Sequence, residues 1–200
     1  SKFDTSYYRN RYHTGHFIKR GNKPFYHSHW IRFFRRIFPN KSVFIDIGCG
    51  EGYFCKKASK YFITYGIDIS NDALKNAKLL SQSSQFYTGS VENALPFKND
   101  SADIIVISDV LEHLHRPDNL LNEIYRILKP EGMVLISTPN PESLGIKLKG
   151  DNWHGYRDVT HISIQSFNSW EHLFRESKFV IFKSGTDFLW DIPYRINIPL

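Results

Sequence analysis

Short apolar runs alternate along the chain with stretches whose apolar positions recur every three or four residues, which predicts strands and helices taken in turn. Val43–Ile47, Ile63–Ile67, Gln85–Thr88, Ala102–Ser108 and Met133–Ser137 are the predicted strands. Ala102–Ser108 is apolar on both faces, as a buried parallel strand requires. Between them, Tyr53–Lys60 predicts a helix, and Ser70 is placed to cap another running through Ala73, Leu74, Ala77 and Leu80. Asp118 is the expected cap of a helix with the stripe Leu121, Ile124, Tyr125 and Leu128, which Lys129-Pro-Glu-Gly132 ends. A last helix, with Phe167, Trp170, Leu173 and Phe174 inward, leads into a sixth strand at Phe179–Lys183. Repeated strand-then-helix units joined by right-handed crossovers imply an α/β, doubly wound, mostly parallel sheet with helices on both faces. Only Trp190–Leu200 is left for a seventh strand, which is therefore expected to be short or missing, and the start at Ser1 adds the expectation of an excised or processed chain.

Upstream of the first strand, Trp30, Phe33, Phe34, Ile37 and Phe38 follow the i, i+3, i+4, i+7, i+8 pattern, a helix leaving Arg32, Arg35 and Arg36 in solvent. Residues 1–42 carry ten Lys or Arg against one acid, Asp4, within a chain of net charge +6. They also hold eleven aromatics, so this segment suits an anionic substrate, a nucleic acid or an acidic lipid head group. The expected organisation is a basic, aromatic arm and helix over 1–42, followed by a ligand-binding domain over 43–200. Residues 1–26 lack a helical period and are candidates for a lid, with Tyr8 and Tyr12 among the rings that would close over a cation.

Composition narrows the class. At 41% hydrophobic, 23% charged and 16% aromatic, the 200 residues can fill the core of one globular domain. The longest aliphatic run, Ile104–Ile107, is far too short to cross a bilayer, and two cysteines, Cys49 and Cys55, do not make a disulfide framework. A cytoplasmic location is expected.

The chemistry concentrates in Val43-Phe-Ile-Asp-Ile-Gly-Cys-Gly-Glu-Gly52, which puts Gly48, Gly50 and Gly52 at the carboxyl end of the first strand, where open α/β sheets bind ligands. Glycines there let the backbone approach a ligand closely. The spacing is G-x-G-x-G rather than the dinucleotide G-x-G-x-x-G, which argues against a nicotinamide dehydrogenase. Asp46 and Glu51 beside the loop would repel a pyrophosphate, whereas Asp68, ending the second strand, is placed to take both hydroxyls of a ribose. A nucleoside carrying a cation is the indicated ligand.

These segments resemble the class I S-adenosylmethionine-dependent methyltransferases, particularly the group similar to ubiquinone- and menaquinone-biosynthesis methyltransferases. The likeness runs from about Val43 to Gly185. Val43–Gly52 looks like the family's first motif, Asp68 like its ribose-binding acid, and Ser90-Val-Glu-Asn-Ala-Leu-Pro-Phe97 like its adenine-side loop. Asp103–Leu114 is similar to the motif after the fourth strand, Ile124–Val134 to the I-x-R-x-L-K-P-x-G run, and Ser137-Thr-Pro-Asn-Pro141 to the loop after the fifth. The resemblance implies the Rossmann-like methyltransferase fold and S-adenosylmethionine as cofactor, with S-adenosylhomocysteine as product. It implies that Gly48, Cys49 and Gly50 contact the methionine portion, with Gly52 in the same cofactor-binding loop and Asp46 helping to orient the ammonium. It further implies that Asp68 and Ile69 meet the nucleoside, and that Ser108 and Asp109 lie under the sulfonium. Ser90 departs from the pattern, since relatives carry an acid there, so adenine contact falls to the backbone near Val91 and Glu92.

Methyl transfer needs alignment and exclusion of water, and a base only where the acceptor must lose a proton. His113 is the first candidate for such a base and His161 the second, with His154 and Tyr156 in a polar segment that suits substrate contact. His113 and His115 offer H-x-H, but with no third convergent ligand in view no metal is expected. The post-fourth-strand segment, Ser-Asp-Val-Leu, is not the Asn/Asp-Pro-Pro-Tyr/Phe loop of amino methylation on bases, and the cysteine of covalent pyrimidine methylation is missing after the fourth and fifth strands. A small-molecule acceptor is therefore favoured. Two other readings stand beside it: a non-catalytic methyltransferase-like binding module, and an enzyme acting on RNA or another anionic macromolecule. The acceptor atom and the oligomeric state are not written in the sequence.

Overall fold

The computed structural model describes residues 24–143, 146–147, 150–186 and 193–199. The described residues fall into two compact units, those up to 93 with 102–104 and those of 94–101 with those from 105 on, and seven strands run in the order β3-β2-β1-β4-β5-β7-β6.

In the first unit, β1 (Val43–Ile47) pairs in parallel with β2 (Ile63–Asp68), and β2 with β3 (Gln85–Thr88). Ile47 stands beside Ile67 and Asp68 beside Thr88, so the carboxyl ends of these strands open at one edge. The amide of Val43 donates to the Asp103 carboxylate at 2.7 Å, anchoring the start of β1. Helix α1 (Pro24–Ile37) packs on this unit, but its face is turned from the expected stripe. His27, Trp30, Ile31 and Phe34 are buried, whereas Ile37 is 47% exposed and Phe33 and Phe38 are only half-buried. The helix ends at Ile37, so that side chain lies past the aromatic cluster in which Phe34 meets Phe44 and His27 stacks on Phe54 at 4.5 Å. Arg32, Arg35 and Arg36 do face solvent. Helix α2 (Tyr53–Ala58) follows the glycine loop, and α3 (Asn71–Leu80) is capped as expected, the Ser70 hydroxyl accepting the amide of Ala73 at 3.3 Å.

The second unit contains the end of β4 (Ala102–Ser108), then α4 (Pro117–Ile127), β5 (Leu128–Ser137), a short α5 (His154–Arg157), α6 (Phe167–Glu176), β6 (Phe179–Thr186) and β7 (Pro193–Pro199). Helix α4 begins at Pro117 rather than with Asp118 as its cap, because proline's missing N–H is harmless at the first helical position. Asp118 instead pairs with Arg116 through two bonds, at 3.0 and 2.7 Å. The buried stripe is Leu120, Leu121, Ile124 and Ile127, and Leu128 already belongs to the strand. Pro130 disfavours helical backbone at Lys129, so β5 starts five residues before the expected Met133.

The seventh strand, expected to be short or missing, is present over seven residues and lies antiparallel between β5 and β6. Its sequence alternates Tyr194, Ile196 and Ile198 with Arg195 and Asn197, a strand period, and its prolines sit at the two ends, where a missing donor is tolerated. The sheet is thus mostly parallel with one reversed strand. No helix among the described residues is long and apolar enough to cross a membrane.

Candidate functional site

Three glycines define the loop after β1. Gly48, Gly50 and Gly52 have φ of 73°, 51° and 75°, left-handed values that a side chain resists. The amides of Gly48 and Cys49 both donate to the Ile67 carbonyl, at 2.8 and 3.0 Å, folding the loop against the end of β2. Asp68 completes the latch: Oδ2 accepts the amide of Gly50 and Oδ1 that of Ser70, each at 2.8 Å. Its carboxylate is 4% exposed, and with about four lone-pair sites it can accept further donors beside these two. The Gly89 amide donates to the Asp68 carbonyl at 3.0 Å, which brings the loop after β3 to the same edge. There Ser90 accepts the amide of Glu92 on its hydroxyl at 3.2 Å and that of Asn93 on its carbonyl at 3.3 Å, so its role is to make the turn. Ser90 and Val91 are half-buried, Glu92 is exposed, and Ile69 presents an apolar side chain 42% exposed.

Asp46 lies inside the first unit at 3% exposure. Burial pushes its carboxyl from the ordinary 3.8 up to about 7; the Cys55 thiol, donating at 3.5 Å, opposes that rise and the Asp68 charge adds to it. A buried acid poised so is one that a neighbouring cation would ionise. Cys49 packs with Cys55, Leu74, Ala77 and Phe86, and burial raises its thiol to about 11, the behaviour of a filler and not of a nucleophile. The sequence reading missed the Cys55 contact, and also Gly66, where a Cβ would stand 2.7 Å from the Phe86 ring and 2.8 Å from Cys49 Sγ.

In the second unit, Ser108 ends β4 and Asp109 follows it. Asp109 has φ of 55°, and its amide donates to the Ser137 carbonyl at 2.9 Å. Among the described residues, the buried hydroxyls of Ser108, Ser137 and Thr138 make no hydrogen bond, three polar atoms at the carboxyl ends of β4 and β5. Beyond Asp109, Leu111–His113 forms one 3-10 turn. The carbonyl of Glu112 accepts the amides of Ile162 and Ser163, both at 2.9 Å, which docks the 158–163 loop on that turn.

The two candidate histidines, 48 positions apart, meet there with ring centroids 4.7 Å apart. His113 Nδ1 lies 3.1 Å from the Thr160 carbonyl and 3.0 Å from its hydroxyl, while that hydroxyl donates to Asp158 at 2.6 Å. His161 Nδ1 lies 2.7 Å from the Gly155 carbonyl. Its Nε2 is 3.3 Å from Asp158 Oδ2 and 4.0 Å from Glu112 Oε1. The convergence that could not be assigned from the sequence involves Glu112 and His161, which stand with His113, whereas His115 is exposed. Glu112, Asp158 and Thr160 were not singled out from the sequence as a group, and an Asp158-Val-Thr-His161 string beside one histidine was the only signal. Tyr156 is half exposed, and Tyr8, Tyr12 and the side chain of His154 lie outside the described residues.

Comparison with known proteins converges on one family. A methyltransferase domain family matches residues 20–183. An uncharacterised protein of Methanocaldococcus jannaschii is 38% identical over 109 residues, covering 54% of this chain and 46% of that protein. An uncharacterised methyltransferase of Mycobacterium tuberculosis is 35% identical over 102 residues, 50% of this chain and 40% of its own. The chain thus spans less than half the length of these curated relatives. Among solved structures, the magnesium protoporphyrin IX methyltransferase of Synechocystis with bound S-adenosylhomocysteine superposes with a TM-score of 0.74, covering 98% of this chain and 94% of that one at 15% identity, a likeness of fold. With the family match spanning most of its length and the glycine loop where such a fold requires it, the chain belongs to the methyltransferase domain family.

Proposed function

We propose that this chain uses S-adenosylmethionine to methylate a small-molecule acceptor. The observation that carries the reading is the latch in which Asp68 holds the left-handed Gly50, together with the buried Asp46, whose carboxyl burial holds near 7 and a bound cation would ionise. That arrangement suits a ligand with a diol at one end and a cation at the other, and it disfavours a pyrophosphate. Asp68 would take the ribose hydroxyls, Ile69 and the Ser90–Glu92 turn would border the adenine, and the Gly48–Gly52 backbone would admit the methionine portion with Asp46 facing its ammonium. When bound, S-adenosylmethionine supplies an activated methyl carbon: the acceptor's lone pair forms the new bond in line as the carbon–sulfur bond breaks, its electrons staying on sulfur. By the likeness of their motif, Ser108 and Asp109 would lie under the sulfonium. His113 and His161 would serve the acceptor, as a proton acceptor or as holders of a cation that binds it.

The motif order keeps the finer likeness to quinone-biosynthesis methyltransferases within this proposal, while the lid expected of residues 1–26 falls almost wholly outside the described residues. The two free cysteines, buried in one apolar cluster, fit a reducing cytoplasm. A second reading, methylation of RNA or another anionic macromolecule, is favoured by exposed Arg32 and Arg36 on α1, which follows a basic stretch of sequence. Labelled S-adenosylmethionine offered with a metabolite panel that includes quinone precursors, and separately with RNA, decides between the two. Label moving only into RNA would overturn the small-molecule proposal; label moving into neither, with cofactor bound, would favour the non-catalytic binding module.

A further inference from the structure

Two imidazoles and two carboxylates converge in the second unit, and the hydrogen bonds around them define which atoms face one another. The Thr160 hydroxyl spends its proton on Asp158 at 2.6 Å, so toward His113 both the hydroxyl and the carbonyl of Thr160 are acceptors. His113 Nδ1 therefore carries the hydrogen. His161 Nδ1 faces the Gly155 carbonyl at 2.7 Å and must donate as well. In the neutral ring of each residue the lone pair then sits on Nε2. For His161 that lone pair is directed at a carboxylate pair, Asp158 at 3.3 Å and Glu112 at 4.0 Å, where the histidine's side chain is 3% exposed and Glu112 is fully buried. Lone pair against carboxylate repels, and the arrangement calls for positive charge between them.

A proton on His161 Nε2 would answer Asp158, yet at 4.0 Å it would not reach Glu112 as a hydrogen bond. An ion among the groups reaches further. One ligand atom each from Glu112, His113 and His161 already lies within 4.8 Å of the others. Bonds of about 2.0–2.2 Å hold ligand atoms roughly 3–4 Å apart, so closure asks each side chain to move by less than about 1 Å. The charges of Glu112 and Asp158 match a divalent cation, and each histidine gives its second nitrogen to a backbone carbonyl, the outer-shell contact that orients metal-bound imidazoles. We propose that Glu112, His113 and His161, with Asp158 beside them, hold a divalent transition-metal ion. Imidazole with carboxylate favours ions such as Zn²⁺, Co²⁺ or Mn²⁺ over Ca²⁺. The site goes beyond the methyltransferase reading and stands independently of the acceptor; its use would be to bind an acceptor oxygen and lower its proton affinity.

The test is a titration of the full chain, stripped by chelator, with Co²⁺ followed by visible absorption and with Zn²⁺ followed by calorimetry. One equivalent should bind, raising the melting temperature in a way that chelator reverses. Glu112→Gln and His161→Gln should each weaken binding by at least about tenfold, and Thr160→Val, which removes only a positioning contact, by about tenfold. S-adenosylhomocysteine is titrated in parallel and should bind all variants alike; its failure with wild type would count against the cofactor reading and leave the metal result standing. If the variants unfold, the wild-type titration and its chelator-reversible melting shift remain decisive. Stoichiometric binding absent from wild type, binding indifferent to all three substitutions, or a His161 ring that stays doubly protonated and unmoved by metal in NMR spectra would each overturn the proposal.

Discussion

Asp68 accepts the backbone N–H of Gly50 at 2.8 Å, so the acid that ends β2 holds the glycine loop that follows β1. Its other oxygen accepts the amide of Ser70, the cap of α3, at 2.8 Å. One carboxylate thus ties together the loop expected to admit the methionine portion, the helix that follows β2, and the place expected to receive the ribose. Loss of this group would loosen the loop as well as remove a ligand contact.

The buried carboxyl of Asp46 makes stability depend on pH. Its value rises from 3.8 to about 7 on folding, so between those limits the folded protein binds more protons than the unfolded chain. Its stabilising contribution is complete below about pH 4 and is lost as pH climbs through about 7. Urea unfolding should show wild type losing roughly 3 kcal/mol relative to Asp46→Asn between pH 5 and pH 8. A constant difference across that interval would contradict the placement of this group.

The phase of α1 can be tested by two truncations. Phe34 is fully buried and meets Phe44, whereas Ile37 is 47% exposed at the helix end. Phe34→Ala should cost about 3–5 kcal/mol in chemical denaturation and Ile37→Ala under about 1 kcal/mol. Equal costs would restore the stripe first read from the sequence.

Arg126 shows what its motif does physically. Its guanidinium donates to the carbonyls of Phe97 at 2.8 Å and Leu95 at 3.2 Å and to the Asn99 side chain at 2.9 Å, and pairs with Glu123, which accepts the Leu95 amide. Arg126→Ala should destabilise by about 2 kcal/mol, and Arg126→Lys should recover little because an ammonium lacks the planar fork. Hydrogen exchange over 94–101 should quicken in both. Unaltered exchange there would show that the segment is held by other contacts.

The elements set by local pattern were legible: β3 and β4 have their expected bounds, and the Ser70 cap is where its spacing put it. Features decided by competition between local signals were not. Pro117 at a helix start outweighed Asp118 as a cap, Pro130 turned the end of a helix into the beginning of a strand, and the alternation from Tyr194 to Ile198 was hidden between two prolines. The glycine loop and Asp68 could be singled out by spacing, but the bond between them could not, because it depends on the register of β1 against β2. His113 and His161 were each visible as single residues. Their meeting arises from tertiary bonds of Thr160 and Gly155, which no spacing announces.

The most direct measurement is a calorimetric titration of S-adenosylhomocysteine into wild type and Asp68→Ala, with NAD as a control and melting curves for both proteins. Wild type should bind one equivalent and ignore NAD, while the variant, still folded, should bind about ten- to a hundredfold more weakly, as expected for a charge-assisted bond to a buried diol. Equal affinity in the two proteins, or no binding to folded wild type, would contradict the cofactor site built on Gly50 and Asp68.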